Sequence, residues 1–558
     1  MYITPQTNIR LLHNVPFDSS YVHSLFFSSA SGQTTYFQNL TKYNLNNYTY
    51  QRYDKGVLRV QILADNLYDI NYMMFQNRAF GNKWFYAFVD KVEYLNDVTT
   101  AIYYHIDEIQ TWLFDWDFAQ CFVERMHTPT DEIGDNIIPE PLEVGEYVYN
   151  NYTPVTQFRE RAVIVAITSV SEDSEFVADG ETYDGIYGAC KLFAYSTDAT
   201  GIQGINEIIS EYSAKAPDSV VSVYMLPAAL LDADDINTGN QLPYGASGIY
   251  FNGQTLDSVG DNIDGYTPRN KKLFTYPYNY QNITTGNGEA LALRYEFFKD
   301  NVATVNYFGN ISQPVQLICC PTNYKNVNKP DGSLGSYPNF VDEKISLTAY
   351  PLCSWNIDTW RAWVTQNAIP IIIKTASIGA SVALASYSPA VAKEVASPIL
   401  TGAGMAMTHT ETTPASITPN ANAGLYSLHN AENLLTTMYK ASIAADQTRG
   451  NTSSSNALYA NGEYTFHHGR MSVNKQMAEV IDSFFDRFGY AINKVITPSM
   501  HTRTNWTYIK TVDCAIHGNI PRDSETIIEN AFNNGITFWA RPSVVTVGDY
   551  SQNNAPLT

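Results

Sequence analysis

The first third of the chain is patterned as short runs of aromatic and β-branched residues separated by polar residues. Residues 21–27, 57–63 and 84–89 are three such runs, and residues 161–168 form a further apolar run. Short runs of this composition are typical of β-strands. The pattern therefore predicts a strand-dominated region over residues 15–165, with a buried strand at 161–168.

The centre of the chain mixes one helical pattern with further strand patterns. Apolar residues within 205–215 recur at helical spacing and predict a short amphipathic helix. Strand-like runs and turns return over residues 216–355. The turn signals in this region are Asn252-Gly253, Asp264-Gly265, Gly286-Asn-Gly288 and Lys329-Pro-Asp-Gly332.

The hydrophobic pattern changes character at Asn356. Residues 358–367 are compatible with a helix, and two long uncharged runs follow it at 375–392 and 395–410. Between these runs stands the charged pair Lys393-Glu394. We predict that this segment forms a membrane-active loop. The apolar residues of the loop are Ile369, Ile371, Ile372, Ile373, Ile378, Val382, Leu384, Val391, Val395, Ile399, Leu400, Met405 and Met407.

This uncharged segment admits two interpretations. A helix needs roughly 20 apolar residues to cross a bilayer core, so the two runs resemble a helical hairpin of marginal hydrophobicity. Such a hairpin could remain in protein and enter lipid only when it is released. The alternative is a buried hairpin or a subunit-interface helix that never leaves protein. Pro370, Pro389 and Pro398 disfavour long continuous helices in either case.

Ordered patterns resume near residue 471, after a linker rich in Thr, Ala and Asn. Within that linker, residues 431–445 could form a helix and residues 451–456 resemble a flexible tract. The elements predicted after it are a helix at 471–488, a strand at 508–514, a helix at 523–532 and a strand at 536–539. The predicted parts of the chain are an N-terminal β-rich region (1–155), a central β-rich region (156–357), an inserted hydrophobic loop with its linker (358–470) and a C-terminal helix-strand segment (471–558).

Composition supports a β-rich fold with a weakly charged surface. Hydrophobic residues make up 44% of the 558 residues and charged residues only 16%, whereas Tyr alone contributes 40. We therefore predict a mainly β fold with some α-helix. The formal charge of −21 opposes tight nonspecific binding of a polyphosphate, but it does not oppose DNA that slides past.

The sequence offers no compact set of catalytic or metal-binding residues. Asp232 to Asp235 and Asp261 to Asp264 are interpreted as solvated turns, because close carboxylates are expected by chance among 55 acidic residues. His467-His468 belongs to no HExxH motif, and bound calcium is unsupported. The six cysteines are interpreted as buried free thiols. We predict no enzyme activity, no metal and no cofactor.

Several short motifs resemble one viral protein family. At the N-terminus they are Pro16-Phe-Asp18, Asn71-Tyr-Met-Met-Phe75, Lys83-Trp-Phe-Tyr-Ala-Phe88 and Ile106-Asp-Glu-Ile-Gln-Thr-Trp112. At the C-terminus they are Phe488-Gly-Tyr490, Thr507-Tyr-Ile-Lys-Thr511, Gly518-Asn-Ile-Pro521 and Asn534-Gly-Ile-Thr-Phe-Trp539. Together these motifs resemble the tail-knob, or distal-tube, proteins of phi-29-like short-tailed bacteriophages. The resemblance covers about the first 150 and the last 80 residues.

The resemblance implies a structural role in the virion. It implies a homohexameric tube of β-barrel-like subdomains, with an inserted, partly helical hydrophobic loop that closes the DNA exit channel. In the family this loop is released when ejection starts and then penetrates the host cytoplasmic membrane. The implied partners are other tail and collar proteins, membrane lipids, and genomic DNA that passes through the lumen without sequence-specific binding. The implied location is the phage tail tip, after assembly in the host cytoplasm.

Other functions remain open at this stage. A receptor-binding or peptidoglycan-degrading tail component is the main alternative, and a bacterial pore-former is a third. A receptor-binding fibre has no evident need for an uncharged insert, and a hydrolase should carry a compact catalytic cluster. Only the terminal motifs argue against the pore-former.

Overall fold

The structure is a computed structural model, and it describes residues 6–49, 55–167, 182–183, 186–187, 190–215, 220–243, 250–325, 343–354, 451–453, 458 and 461–557. The chain divides into two compact units, each built from separate stretches of sequence. Unit 1 combines Met1–Tyr147, Asp261–Tyr278 and Val473–Thr558. Unit 2 combines Val148–Gly260 and Asn279–Ser472.

Strands are the main element throughout the described residues. In the first half they are β1 (Thr7–His13), β2 (His23–Leu25), β3 (Thr41–Tyr48), β4 (Lys55–Val60), β5 (Ile70–Asn77), β6 (Trp84–Asn96), β7 (Thr99–Ile106), β8 (Trp116–Phe118), β9 (Cys121–Met126), β10 (Tyr147–Tyr149), β11 (Thr153–Pro154), β12 (Arg161–Ile167), β13 (Thr182–Tyr183), β14 (Ile186–Tyr187), β15 (Lys191–Ser196), β16 (Val220–Pro227) and β17 (Tyr250–Ser258). In the second half they are β18 (Asn279–Thr284), β19 (Ala290–Leu293), β20 (Val302–Gly309), β21 (Leu317–Pro321), β22 (Ile345–Leu347), β23 (Leu352–Ser354), β24 (Asn451–Ser453), β25 (His467–Val473), β26 (Tyr490–Ile496), β27 (Trp506–Asp513), β28 (Ile516–Gly518) and β29 (Ile536–Trp539).

Helices are few among the described residues. The α-helices are α1 (Ala30–Asn39), α2 (Glu108–Trp112), α3 (Ala199–Lys215), α4 (Lys475–Phe488) and α5 (Arg522–Asn534). Short 3-10 turns lie at Ala64–Asn66, Arg78–Phe80, Thr156–Phe158, Ala228–Leu230, Ala233–Asp235, Lys271–Phe274, Tyr295–Phe297 and Lys299–Asn301. The prediction of a mainly β fold with some α-helix is confirmed.

Unit 1 contains a six-stranded antiparallel sheet that is buried on both faces. Its strand order is β3-β1-β5-β6-β7-β4. On β5, Met73 and Phe75 pack into one core, to which all six strands contribute side chains. Tyr72 and Met74 point to the opposite face and pack with Phe37 of α1. Burial of both faces explains why this strand is a continuous apolar run rather than an alternating one.

The second large sheet of unit 1 joins the two ends of the chain. Its order is β2-β29-β27-β9-β26, and β2 pairs with β29 in parallel whereas the other pairs are antiparallel. Trp506 of β27 and Trp539 of β29 pack with ring centroids 5.1 Å apart. Both rings belong to the core that covers the outer face of the six-stranded sheet. Unit 1 is thus closed by residues from opposite ends of the sequence.

Unit 2 contains three larger sheets around one core. Their orders are β10-β25-β18-β19 with β11 beside β25, β15-β12-β16-β23-β24, and β17-β20-β21-β22. The strand β12, predicted at 161–168, is fully buried from Ala162 to Ile167. It pairs with β15 on one side and β16 on the other. The apolar side chains of the three sheets meet in a single cluster.

Helix α3 begins at Ala199, six residues before the predicted segment 205–215. The additional residues include Gly201 and Gly204. Asp198 caps its first turn by accepting a hydrogen bond from the Gly201 backbone N–H at 2.9 Å. A Cβ atom on Gly204 would lie 2.6 Å from the Tyr195 ring of β15. Glycine lowers helix propensity, so the sequence pattern did not predict residues 199–204 as part of the helix.

One local turn prediction is wrong. Asn252-Gly253 is not a turn between strands but a bulge inside β17, where the register shifts and Gly253 has a φ of +58°. The residue Asn306 stabilises this bulge by accepting a hydrogen bond from the Gly253 N–H. The region 15–165 is strand-dominated as predicted, and it also contains α1 and α2, which the sequence pattern did not predict. The predicted helices at 358–367 and 431–445 lie outside the described residues, as does the turn at 329–332.

A buried charged cluster fastens the separate stretches of unit 1. The carboxylate of Glu140, fully buried, lies 2.5 Å from Arg125 Nη1 and 2.5 Å from Lys272 Nζ. The same carboxylate accepts a hydrogen bond from the Ala491 backbone N–H at 2.9 Å. One side chain therefore contacts all three stretches of sequence that form unit 1.

The carboxylate of Asp482 on α4 extends the cluster. It accepts hydrogen bonds from the Tyr266 hydroxyl and from the backbone N–H groups of Arg269 and Asn270. One turn later, Asp486 accepts a hydrogen bond from the Asn270 amide at 2.8 Å. The buried face of α4 thus binds the stretch 261–278 through charged and amide groups rather than through apolar contacts alone.

Replacement of Glu140 tests this cluster. In Glu140→Gln, Arg125 and Lys272 stay buried without their counter-charge, so we expect a loss on the order of 3 kcal/mol in the free energy of unfolding. The matched control is Glu124→Gln, because Glu124 pairs with Lys510 at the surface and should contribute less than about 1 kcal/mol. Urea unfolding followed by tryptophan fluorescence measures both. Equal midpoints for the two variants would show that the cluster does not hold unit 1 together.

Asp486 should give the fold a specific dependence on pH. Burial and the nearby charge of Asp482 raise the pKa of Asp486 from 3.8 to about 6. Between these two values the folded state binds a proton that the unfolded state does not, so this group stabilises the fold as pH falls. We expect about 1 kcal/mol of gain between pH 7 and pH 5.

Comparison with Asp486→Asn isolates this gain from every other titrating group. The amide is uncharged at both pH values, so the variant should lack that part of the wild-type change. Thermal unfolding of both proteins at pH 7 and pH 5 provides the measurement. Parallel shifts in wild type and variant would contradict the assignment.

Candidate functional site: the strand pair at the base of residues 355–450

Residues 355–450 are bounded by two strands that pair with each other. In the antiparallel pair of β23 and β24, Leu352 lies opposite Ser453 and Ser354 lies opposite Asn451. Residues 354 and 451 are therefore neighbours across one ladder. The segment between them begins and ends at the same place on unit 2.

The strand pair is attached to the centre of a buried sheet. Strand β23 also pairs with β16, where Cys353 lies opposite Val223. Just before β23, Pro351 accepts a hydrogen bond from the Met225 backbone N–H at 2.9 Å. Because Cys353 and Val223 are fully buried, the base of the segment is part of the core of unit 2.

A tyrosine pair strengthens the same region. The rings of Tyr350 and Tyr464 meet edge to face with centroids 5.4 Å apart. The Tyr464 hydroxyl also accepts a hydrogen bond from the Ala349 backbone N–H at 3.1 Å. These contacts join the chain just before β23 to the chain that follows residue 461. Both sides of the segment are thus held by packed, hydrogen-bonded residues.

The sequence pattern did not predict this base. Residues 451–456 resemble a flexible tract, whereas Asn451–Ser453 form the strand β24. Three polar residues carry no hydrophobic signal for a strand, and the pairing partner is distant in sequence. Pairing of distant strands therefore decided the structure here, and no local pattern could have shown it.

The predicted membrane-active residues lie outside the described residues. All of them fall between Ile369 and Met407, within 355–450. Among the residues that the structure describes, none of the helices has the length and apolar character needed to span a bilayer.

The acidic residues of 232–235 lie at a surface turn, and His467 and His468 make packing and hydrogen-bonding contacts. Asp232 and Asp234 are exposed on a 3-10 turn, as predicted for a solvated turn. His467 is buried and its ring stacks on Tyr152 at 5.3 Å. His468 Nδ1 lies 3.0 Å from Asp257. In the described part of the chain, His, Cys, Asp and Glu residues form no group of three that could hold a metal ion.

The histidine–carboxylate pair of unit 2 is part of a hydrogen-bonded network. Burial disfavours ionisation of Asp257, but the hydrogen bond and charge of His468, together with hydrogen bonds from Gln281 and Asn151, lower the pKa of that carboxyl. The Asn151 bond is donated by its side-chain amide. The pair links β17 to β25, which belong to two different sheets of unit 2.

Trp116 and Trp112 pack within unit 1. Trp116 is 5% exposed and packs with Phe532. Trp112 is half-buried, donates a hydrogen bond from Nε1 to Glu108, and lies under the Lys83 ammonium group.

Comparison with known proteins assigns the fold to phage tails. The family described as the Caudoviral major tail protein N-terminus matches residues 5–117. The solved structure of the bacteriophage C1 tail knob protein gp12 is similar, with a TM-score of 0.61 at 12% identity, and the similarity covers 99% of this chain and 100% of that chain. The chain is a structural component of a bacteriophage tail.

A second family match narrows the class. The family described as the C-terminal domain of the Bacillus phage phi29 tail knob protein gp9 matches residues 247–555, which is more than half of the chain. The tail knob protein gp9 of Bacillus phage PZA is 26% identical, that of phi29 25% and that of B103 24%, and each similarity covers 98% of both chains. The chain belongs to the phi29 tail knob protein gp9 family, which confirms the resemblance found in its motifs.

Proposed function

We propose that this protein forms the distal tube of a short phage tail, closes the DNA exit channel with residues 355–450, and penetrates the host cytoplasmic membrane with the same segment. The single observation that carries the proposal is the pairing of Ser354 with Asn451. Because both ends of the segment are fixed at one sheet, the segment can change its environment without breaking the sheets that support it.

The composition of the segment supports a conditional interaction with lipid. Residues 375–392 and 395–410 contain no charged side chain, so their transfer into a bilayer has no charge penalty. Many of these residues are Ala, Ser and Gly, which add little transfer energy. The segment is then held in the tube by contact with its own copies, and release shifts the balance toward lipid.

The charge of the chain supports a conduit for DNA. At a formal charge of −21, each copy repels phosphate groups overall. A lumen that bound the DNA backbone through lysines would have to break each contact during transit. The net negative charge therefore favours passage over retention, and the proposed contact with genomic DNA needs no recognition of sequence.

Replacement of the segment tests the membrane role. Since Ser354 and Asn451 are opposite each other, an Asn-Gly turn in place of residues 355–450 should connect β23 and β24 as a hairpin. We expect the full chain to release an entrapped dye from anionic phospholipid vesicles, at acidic or neutral pH, and the hairpin variant to release none.

A matched control is available in the same unit. Residues 326–342 are flanked by Lys325 and Glu343, which form an ion pair, so a short Gly-Ser linker can replace them in the same way. This control should still release dye. Leakage caused equally by the hairpin variant, or no leakage from the full chain at either pH, would contradict the membrane role.

The tube requires six copies. The sheet β2-β29-β27-β9-β26 of unit 1 offers apolar residues for contacts between them. On that sheet Phe122 pairs with Val495 on one side and with Asp513 on the other, and Val512 precedes Asp513. Val495 is 63% exposed and Val512 is 59% exposed. Exposed apolar side chains grouped on one sheet are typical of a contact surface.

Mass measurement tests the assembly. We expect the purified protein to have the mass of six subunits, and the double variant Val495→Asp/Val512→Asp to have a smaller mass because it places like charges in the contact. The control Thr526→Asp adds a charge on the exposed side of α5 and should keep six subunits. Light scattering after size exclusion provides the masses. A wild-type monomer or trimer would contradict the tube.

A further inference from the structure

Two cysteines that are far apart in sequence lie side by side in the second sheet of unit 1. In the antiparallel pair of β9 and β27, Phe122 lies opposite Asp513. The next residue on each strand is Cys121 and Cys514. Beyond them the Ala119 backbone N–H donates a hydrogen bond to the Ala515 carbonyl at 2.9 Å, so the two chains stay together on both sides of the cysteines.

The two side chains point into the same core. Cys121 and Cys514 are both buried and belong to one cluster with Trp116 and Phe532. Residues opposite each other in an antiparallel pair have Cβ atoms about 4.5–5.5 Å apart, and a disulfide needs a Cβ separation of about 3.5–4.5 Å. A bond between these sulfur atoms therefore requires only a small adjustment of the strands.

The two thiols also interact directly. Burial raises the pKa of Cys121, and burial together with the Cys121 sulfur raises the pKa of Cys514 to about 12. The Ala515 backbone N–H partly offsets this effect at Cys121 because it donates to that sulfur. Cys121 is consequently the better nucleophile of the pair, and both thiols react slowly as long as they stay buried.

We propose that Cys121 and Cys514 form an oxidative modification site, in which a cross-strand disulfide closes when the virion protein meets a peroxide outside the reducing host cytoplasm. The Cys121 thiolate attacks hydrogen peroxide and forms a sulfenic acid, with release of hydroxide, which takes up the thiol proton to give water. The Cys514 sulfur then attacks the Cys121 sulfur and displaces a second water. In total, two thiols and one peroxide give one disulfide and two waters.

The disulfide would join distant parts of unit 1. It links β9, from the first stretch of sequence, to β27, from the last stretch, and so closes a loop that includes all of unit 2. Such a cross-link restricts the unfolded chain and stabilises the folded one. It also fixes the sheet that joins the two ends of the chain.

The other cysteines are less suited to this reaction. Cys319 and Cys320 are successive residues of β21, and successive side chains on a strand point to opposite faces. Across the strand ladders Cys353 lies opposite Val223 and Thr452, and Cys319 lies opposite Tyr307 and Ile345, so neither is opposite another cysteine. Strand pairing therefore favours the Cys121–Cys514 bond.

The experiment treats the purified full-length protein with hydrogen peroxide, quenches it with acid, and alkylates the remaining thiols under denaturing conditions. Peptide mapping without reductant should find the Cys121 peptide joined to the Cys514 peptide, with both thiols protected from alkylation. The melting temperature of the oxidised protein should be several degrees higher, and dithiothreitol should reverse the shift. Full alkylation of both cysteines, a different pairing, or sulfinic acid at Cys121 without a cross-link would overturn the proposal.

Variants assign the effect to this pair. Cys121→Ser and Cys514→Ser should each abolish the cross-link and the shift that dithiothreitol reverses. The control Cys190→Ser, at a half-buried position in unit 2, should keep both. The peptide map of the wild-type protein decides the question even if a serine variant fails to fold. A cross-link that persists in Cys121→Ser would show that another residue supplies the sulfur.

Discussion

The fold of unit 1 depends on the buried carboxylate of Glu140. This side chain forms ion pairs with Arg125 and Lys272 in a place that solvent does not reach, and it also binds the backbone at Ala491. The three stretches of unit 1 are separated by 113 and 194 residues, so their assembly has a large entropic cost. Apolar packing alone tolerates sliding, whereas a buried ion pair tolerates one arrangement. The charged cluster therefore fixes the register in which the stretches meet.

This constraint explains how the chain can carry a large second unit. Unit 2 is inserted between stretches of unit 1, and within unit 2 the segment 355–450 is inserted between β23 and β24. The segment 355–450 leaves and re-enters unit 2 through β23 and β24, which pair with each other. The arrangement allows long insertions because the loop-closure cost grows only slowly with length. The proposed channel closure and membrane penetration use this innermost insertion.

The sequence pattern predicted the strands and helices that have strong hydrophobic periodicity. It did not predict the features that depend on contacts between residues distant in sequence. The fully buried run of β12, the helix α5 and the closing strand β29 were all visible in the pattern. Helix α4 was predicted too, but its orientation was not. The apolar Val480 is 61% exposed, whereas Asp482 is fully buried because it binds the stretch 261–278. Periodicity assumes that carboxylates face water, and a buried charge cluster breaks that assumption. The strand β24 and the pairing at the base of the segment were invisible for a related reason, since their partners lie far away in sequence.

The contrast between the buried charges of unit 1 and the uncharged runs 375–392 and 395–410 bears on how such a protein can be both stable and changeable. Charged groups such as Glu140 and Asp482 are costly to separate from their partners, so they belong where the structure must not move. Small uncharged residues, which dominate 375–410, lose little when they exchange a protein environment for a lipid one. A chain with buried charges in unit 1 and two long uncharged runs in the insertion can therefore hold the first fixed while the second changes partner. The proposed function needs this difference between the two regions.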